Sequence, residues 1–594
     1  MRRRTTLPRF SQQDVRWSAL WRRGCGGSHL KAAEGFFARH CAASQTPPEV
    51  RLVTDRDRRS VSTGRTSLFA SAGTLGATVI GFGRNLALAA AIGTSLVADS
   101  YNIANQVPNQ VFLLLGGGAI FFVFVPQLIR NARDSPERGD DFGSFLLFAG
   151  AVFGVLVTVL LLVFSPLAIR LMGGASWGEP QATLGLRLSL WCIPQVFFYT
   201  LFAIASQLMN ARGRFNAVAW LPIVNSLTVI LACVPIIVVG TVQANSPASM
   251  SDWEVALLGG ATLFGTVLQS TLLMIFLRRA GFRLRRRFPI RGLGLRTTAS
   301  MGLFSIANAA TFQIANIVTA ALSTQAGSAA KTDGYDGRGF TAYFYAQTLL
   351  IASCAVASTG LANVLLQRLS GHYAEGDEKA ASKELNEAIL AMGALLIPVM
   401  AIFICLGPLG TELLFTRGET GPEEAKFIGV VLAVLSIGLI PYALHDLLVR
   451  PFFAVHNART PLRSGVIIGS IRIVGSWAAS IVFVPQHVLL GIAGAVALAY
   501  IVDLPLKLLS LKRKLRFQLS GFVVRGYCTS LAAAAAAAVI IAIGTNFVEP
   551  MLPHGWLPRT LLFMAGIAAF LFVYYPLTAR SSASLRQLVR WLRG

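Results

Sequence analysis

The sequence predicts an all-α polytopic membrane protein of about fourteen transmembrane helices, arranged as two parallel six-helix lobes around a central cavity plus two C-terminal helices. Three observations carry this. Hydrophobic residues make up 54% of the 594 and charged residues only 13%, with a mean hydropathy of +0.61, which leaves too little polar surface for a soluble chain of this length. Apolar runs of about 20 residues or more, enough to cross a hydrocarbon core about 30 Å thick, recur along the chain. Lys and Arg gather in alternate loops, as cytoplasmic loops require.

Residues 1–66 stand apart. Arg2, Arg3, Arg4, Arg22, Arg23, Arg58 and Arg59 lie among polar residues with no apolar core suited to a signal peptide, so the segment is expected to be a disordered, basic cytoplasmic arm or an over-extended translation start. Apolar runs then fall at 67–93, 107–129, 143–172, 184–209, 215–240, 253–277 and 297–323, giving spans 1 to 7. Spans 8 to 14 are expected at 339–366, 385–415, 426–455, 462–484, 488–511, 521–547 and 560–579. The corresponding domains are an N-lobe at 67–280, a basic cytoplasmic linker at 281–296, a C-lobe at 297–515, and the last two spans with a basic tail at 516–594.

The loops orient these spans. Arg130, Arg133 and Arg138 follow span 2, Arg212 and Arg214 follow span 4, and eight arginines from Arg278 to Arg296 follow span 6. Arg459 and Arg463 follow span 10, and Lys507, Lys512, Arg513, Lys514 and Arg516 are read as following span 12. Both termini are therefore expected in the cytoplasm, with Trp591 in a tail suited to the membrane surface. Lys331, Arg338, Arg417 and Lys426 go against the pattern, each with acidic neighbours.

The formal charge of +25 does not imply nucleic acid, because it is spread through loops and termini with no basic, aromatic-interleaved domain. The seven cysteines show no CxxC spacing, so neither a disulfide framework nor a metal site is supported. No cofactor is expected, and the identity of any coupling cation is open. No Ser/His/Asp arrangement or P-loop points to an enzyme.

An internal duplication sets the lobes. A shift of 247 residues aligns Ile193-Pro194 with Ile440-Pro441 and Asn210-Ala211-Arg212 with Asn457-Ala458-Arg459. Six spans separate the two copies, and an even number preserves orientation, so the lobes are parallel repeats related by an axis along the membrane normal.

Asn210-Ala211-Arg212-Gly213-Arg214-Phe215, followed by Pro222 and Asn225, resembles the NARGRF segment of the MurJ (MviN) lipid II flippases. Gly81-Phe82-Gly83-Arg84 is similar to that family's GFxR in the first helix. Ala98-Asp99-Ser100-Tyr101 with Pro108-Asn109 is similar to its ADAF/Y...PN loop, and Phe453-Ala454 with Arg459-Thr460-Pro461 to its FYA...RTP segment. The resemblance covers about 67–515 and looks most like actinobacterial members. It departs where many members place cavity arginines, here Thr78, Phe112 and Thr348, at Gly117-Gly118-Ala119 in place of EGA, and at Leu366-Gln367 in place of Leu-Pro.

Arg84 is the leading candidate for substrate contact, since a charge in a span costs about 3 kcal/mol or more near the bilayer centre unless it faces a cavity or a partner. Its forked donors suit a diphosphate, although pairing with Asp99 would also satisfy it. Asp99 could gate the outer mouth or cap span 2, and Asn109 stands beside it in the motif. Arg212, Arg214 and Arg459 could guide an anionic headgroup or anchor helix ends. Arg472 and Asp503 are the notable charges within the spans of the second lobe; the Asp503 carboxylate could bind a coupling cation, or the two could pair structurally. Gly116, Gly117 and Gly118 suit close helix packing or a hinge. His372, His445 and His456 read as ordinary cytoplasmic or interfacial residues.

The resemblance implies a lipid II flippase of the bacterial cell membrane, carrying the undecaprenyl-diphosphate-linked precursor from inner to outer leaflet by alternating access. Its partners would be that lipid, the surrounding membrane lipids and cell-wall synthesis proteins. The alternatives are an exporter of another undecaprenyl-linked glycan, a cation-coupled drug antiporter of the same superfamily, and a non-transporting scaffold for cell-wall synthesis.

Overall fold

A computed structural model describes residues 63–115, 136–173, 177–285, 295–455, 457–552 and 555–579. The chain divides into two units, Met1–Arg65 and Thr66–Gly594, and the helical bundle is the second of them. The expected arm at 1–66, Gly116 to Gly118, Arg130, Arg133, His456 and Trp591 lie outside the described residues.

Every regular element among the described residues is a helix. The N-terminal half comprises α1 (Thr63–Ile92), α2 (Leu96–Leu115), α3 (Pro136–Val163), α4 (Ser165–Gly173), α5 (Glu179–Cys192), α6 (Gln195–Ala211), α7 (Phe215–Trp220), α8 (Pro222–Val239) and α9 (Asp252–Arg279). Next come α10 (Leu295–Thr332), α11 (Phe340–Glu375), α12 (Glu378–Phe415), α13 (Pro422–Ser436), α14 (Leu439–Ala454), α15 (Arg459–Val482) and α16 (Pro485–Leu515), then α17 (Gly521–Val548) and α18 (Trp556–Ala579). Among the described residues, eleven stretches are long and apolar enough to cross a membrane, or twelve if the bent pair α13–α14 counts as one span. The polytopic helical class stands; the number fourteen is not established.

Local chemistry explains the breaks. Pro166, Pro194 and Pro222 follow the interruptions between α3 and α4, α5 and α6, and α7 and α8, because each ring removes an amide donor and crowds the preceding turn. Proline at the first or second position starts α5, α8, α13 and α16. Ser251 and Glu254 form a reciprocal capping box on α9, and Asp377 accepts the Ala380 amide to start α12. The two repeat motifs sit differently: Asn210-Ala211 ends α6, whereas Asn457 follows the end of α14 and Arg459 opens α15.

Two expectations about boundaries are corrected. Span 2 begins at Leu96, so residues 98–106 form helix rather than loop; Asp99, Ser100 and Asn102 are buried and Asn105 and Gln106 half-buried, which an apolarity reading cannot register. Lys507 lies inside α16 and is buried, not in a loop.

Packing divides unevenly between the two ends of the bundle. One core joins the halves through Leu88, Ile92, Ala98, Tyr101 and Ile103 with Phe340, Tyr345, Phe415 and Ile428. The opposite end of the N-terminal half has a core of its own, built from Phe142, Leu146, Leu208, Met209, Leu273, Leu277 and Phe282. Exposed Val155, Leu156, Val159, Leu160 and Val163 on α3 form an outer apolar face of the kind lipid chains cover.

A candidate translocation cleft

At the shared-core end the two halves are laced by hydrogen bonds. Thr341 N donates to Asp99 Oδ1 at 2.7 Å, and Asn102 Nδ2 donates to Thr341 Oγ1 at 3.1 Å. Thr94 Oγ1 donates to Glu424 Oε2 at 2.7 Å, and Gly337 N to Ser95 Oγ at 3.1 Å. Thr420 Oγ1 and Glu419 N donate to the carbonyls of Ala89 and Ala90 at 2.8 and 3.2 Å, while Ala244 N donates to Glu419 Oε2 at 3.2 Å. Asp99, only 1% exposed, thus caps the first turn of α11 from the other half, where the flanking residue is Gly339, with no side chain of its own.

Close approach is built in at Gly418. A Cβ there would stand 2.1 Å from Ala90 O, and its φ of +58° is a left-handed conformation that favours glycine.

Helix α1 links both halves. Its end at Ala89–Ala90 is held by the 419–420 loop, and near its start Trp220 Nε1 donates to Phe69 O at 3.2 Å. Between these ties sits Arg84, half-buried, its Nε buried without a hydrogen-bond partner. The alternative that Arg84 pairs with Asp99 is not what the structure shows, since that carboxylate is engaged by Thr341. Asn102, Asn105, Gln106, Asn109 and Gln110 put a polar stripe on α2 at helical spacing. Asn109 Nδ2 donates to Gln106 Oε1 at 3.2 Å, and Asn105 Oδ1 accepts from Gln195 at 3.4 Å. Asn316 on α10 donates to Gln110 at 3.5 Å and accepts from Arg472 Nη2 at 2.7 Å, so a polar chain crosses from α2 to α15.

The other candidates take separate places. Arg212 anchors: its guanidinium meets Asp140 and the Leu208 carbonyl and lies 5.1 Å from the Phe282 ring centroid. Arg214 is exposed and lines a cavity of about 340 Å³ with Phe215, Asn216 and Arg279. Arg459 is exposed, 5.6 Å from the Phe304 ring. Arg472 and Asp503 do not pair with each other: Arg472 bonds Asn316, and Asp503 meets His445 at 2.8 Å and Lys507 at 3.1 Å. His445 is consequently a half-buried partner of Asp503 rather than an ordinary interfacial residue, while His372 stands 3.7 Å from Glu384.

Thr78 and Thr348 turn their hydroxyls back onto their own helices, at Thr74 O and Phe344 O, and Phe112 packs on Tyr199 at 5.5 Å. Three of the four basic residues that broke the loop pattern are partnered: Lys331 donates to Asn245 O, Arg338 lies 3.7 Å from the Phe427 ring centroid, and Lys426 faces Glu412 at 3.8 Å. The seam residues Thr94, Thr341, Glu419 and Glu424 escape a reading of the sequence alone. Only Asn102 carries a signal, in the spacing of amides on α2.

The family model described as lipid II flippase MurJ matches residues 88–565. The chain belongs to the MurJ family. A probable lipid II flippase MurJ of Rhizobium tropici is 26% identical over 512 residues, 84% of this chain and 90% of that protein. The lipid II flippase MurJ of Burkholderia cenocepacia is 26% identical over 446 residues, 72% and 79% of the two chains. Among solved structures, a lipid II flippase MurJ in an inward closed conformation matches with a TM-score of 0.66 at 18% identity, covering 85% of this chain and 98% of that one. An inward-facing MATE multidrug transporter of the MOP superfamily gives 0.53 at 16% identity, covering 77% and 96%. The chain thus has the fold that MurJ shares with MOP-superfamily transporters, and the family is one of multi-pass membrane flippases.

Proposed function

We propose that the chain carries lipid II from the inner to the outer leaflet of the bacterial cell membrane by alternating access between an N-lobe (67–280) and a C-lobe (297–515). The carrying observation is the unequal union of the halves: a shared core and a hydrogen-bonded seam at one end, a separate N-lobe core at the other, and an unpartnered guanidinium edge on the helix that joins them. Loop arginines favour a seam at the outer face and both termini in the cytoplasm. With that orientation the cleft loads from the inside. The chemistry is displacement, not bond-making: a hydrated path carries sugars, peptide and diphosphate while the lipid tail stays in hydrocarbon.

Arg84 is assigned to the diphosphate, with Asn109 and the amides of α2 offering donors to the headgroup. Arg214 and Arg459 serve as exposed positive charges at the cytoplasmic rim, and Arg212 as an anchor. Asp99 acts on the substrate only indirectly, by closing the outer seam.

The side chains of Thr78, Phe112 and Thr348 carry no charge, which favours a scaffold for cell-wall enzymes as the second reading. Depletion separates the two. Cells without the protein should expose labelled lipid II on the outer leaflet at a sharply reduced rate; normal exposure with disturbed placement of synthesis enzymes would favour the scaffold.

A further inference from the structure

Three helices of the C-lobe enclose a charged cluster that the translocation path leaves unused. His445 Nδ1 on α14 stands 2.8 Å from Asp503 Oδ2 on α16. Lys507 Nζ, one turn further along α16, is 3.1 Å from the same carboxylate oxygen and 2.5 Å from the same ring nitrogen. Ser464 Oγ on α15 donates to Asp503 Oδ1. Asp503 is 1% and Lys507 2% exposed.

The surroundings contribute little other charge. From α10 comes the edge of Phe312, 6.1 Å from the imidazole, and from α16 the Tyr500 ring at 5.5 Å. On α15, Arg463 is exposed and Arg472 is bonded to Asn316. On α14 itself, Asp446 pairs with Arg450 at 3.1 Å, and Tyr442 packs on Tyr500. Buried Tyr343 and Cys354 come from α11, and α12 meets α14 through Ile389, Met400 and Ile404 around an apolar cavity of about 470 Å³.

The ring nitrogen cannot serve both neighbours with one proton count. A neutral imidazole protonated at Nε2 presents an Nδ1 lone pair, which accepts from the Lys507 ammonium while that ammonium also donates to Asp503; the cluster is then neutral. A proton added at Nδ1 uses that lone pair. The new N–H donates to Asp503 Oδ2, the Lys507 N–H bond to the ring breaks, and two cations face each other in an apolar interior with one carboxylate between them. Like charges so close repel strongly at low dielectric, and the flexible lysine stem is the part free to withdraw.

We infer that His445, Asp503 and Lys507 form a proton-binding site in the C-lobe, whose loading displaces Lys507 from His445 and couples transport to a proton. The coupling clause rests on the flippase reading; the proton site itself does not. The Lys507 ammonium sits where a metal cation would have to lie against Asp503, and among the described residues no group of three His, Cys, Asp or Glu side chains is placed to hold a metal ion.

The test uses the full-length protein in lipid vesicles. Infrared difference spectra across about pH 5 to 8, the imidazole range, should show a ring band and a carboxylate shift that both vanish in His445→Gln. Lys507→Met, which removes the competing cation, should move their midpoint to higher pH. Persistence of both bands in His445→Gln, or an unmoved midpoint in Lys507→Met, overturns the site. In the same vesicles lipid II flipping should change about fivefold or more over that range and lose this dependence in His445→Gln, with no response to replacing sodium by potassium. A profile unchanged in His445→Gln, or a sodium requirement, overturns the coupling. Absence of flipping at every pH with the infrared bands intact would instead refute the flippase reading and leave the proton site standing.

Discussion

Asp99 of the N-lobe accepts the Thr341 amide at 2.7 Å and so closes the first turn of a helix that belongs to the C-lobe. A carboxylate at a helix N-terminus stabilises it both by satisfying a free donor and by facing the positive end of the helix dipole. When the halves part, α11 loses its cap.

Replacing Asp99 by Ala should therefore weaken the closed seam by about 1 to 2 kcal/mol, roughly a tenfold shift toward the open form. Disulfide trapping between Ser95→Cys and Asp336→Cys reads this out: the yield should drop in Asp99→Ala and be largely kept in Asp99→Asn. An equal yield in Asp99→Ala would contradict the capping role.

Gly418→Ala should separate closure from folding. The added Cβ meets Ala90 O at 2.1 Å at a backbone conformation unfavourable to alanine by about 1 kcal/mol or more. The protein should reach the membrane in normal amount and give a reduced trapping yield across the seam, with growth of a depleted strain slowed or lost.

Arg84→Ala should abolish complementation with no loss of protein from the membrane, and Arg84→Lys should keep part of it, because lysine retains the charge and loses the two-pronged geometry. Immunoblotting of membranes and outer-leaflet lipid II labelling check the two halves of this statement. Full growth with the alanine variant would remove Arg84 from the site.

Arg212 and Arg214 should behave oppositely although they share one motif. Arg212→Ala leaves buried Asp140 with the Arg283 amide but no countercharge, and uncovers Phe282, for a cost of about 2 kcal/mol seen as a lowered melting temperature in detergent. Arg214→Ala, exposed and without a described ion pair, should leave melting within about 0.5 kcal/mol of the parent and affect only the rate of loading.

The helical class and the places of most helices are readable along the chain, because each depends on a residue and its immediate neighbours. The seam is not. Asp99 meets Thr341, 242 positions away, and Thr94 meets Glu424, 330 away, and no periodicity in either segment encodes the pairing. The second helix is misplaced by apolarity for a related reason: Asn102, Asn105 and Gln106 look like loop composition, yet in a transporter they face other protein rather than lipid. His445 and Lys507 look like isolated or loop residues because their partner Asp503 is found only when α14 and α16 lie side by side.

The fastenings between the lobes are amides, hydroxyls and the three carboxylates of Asp99, Glu419 and Glu424 rather than interlocking aliphatic side chains alone. Water can replace each of those bonds as the seam opens, at a net cost of about 1 kcal/mol apiece, and the same bonds re-form once it drains. Thr94, Asp99, Thr341 and Glu419 therefore behave as a wettable clasp, strong as a set but weak link by link, suited to being undone and remade in every turnover.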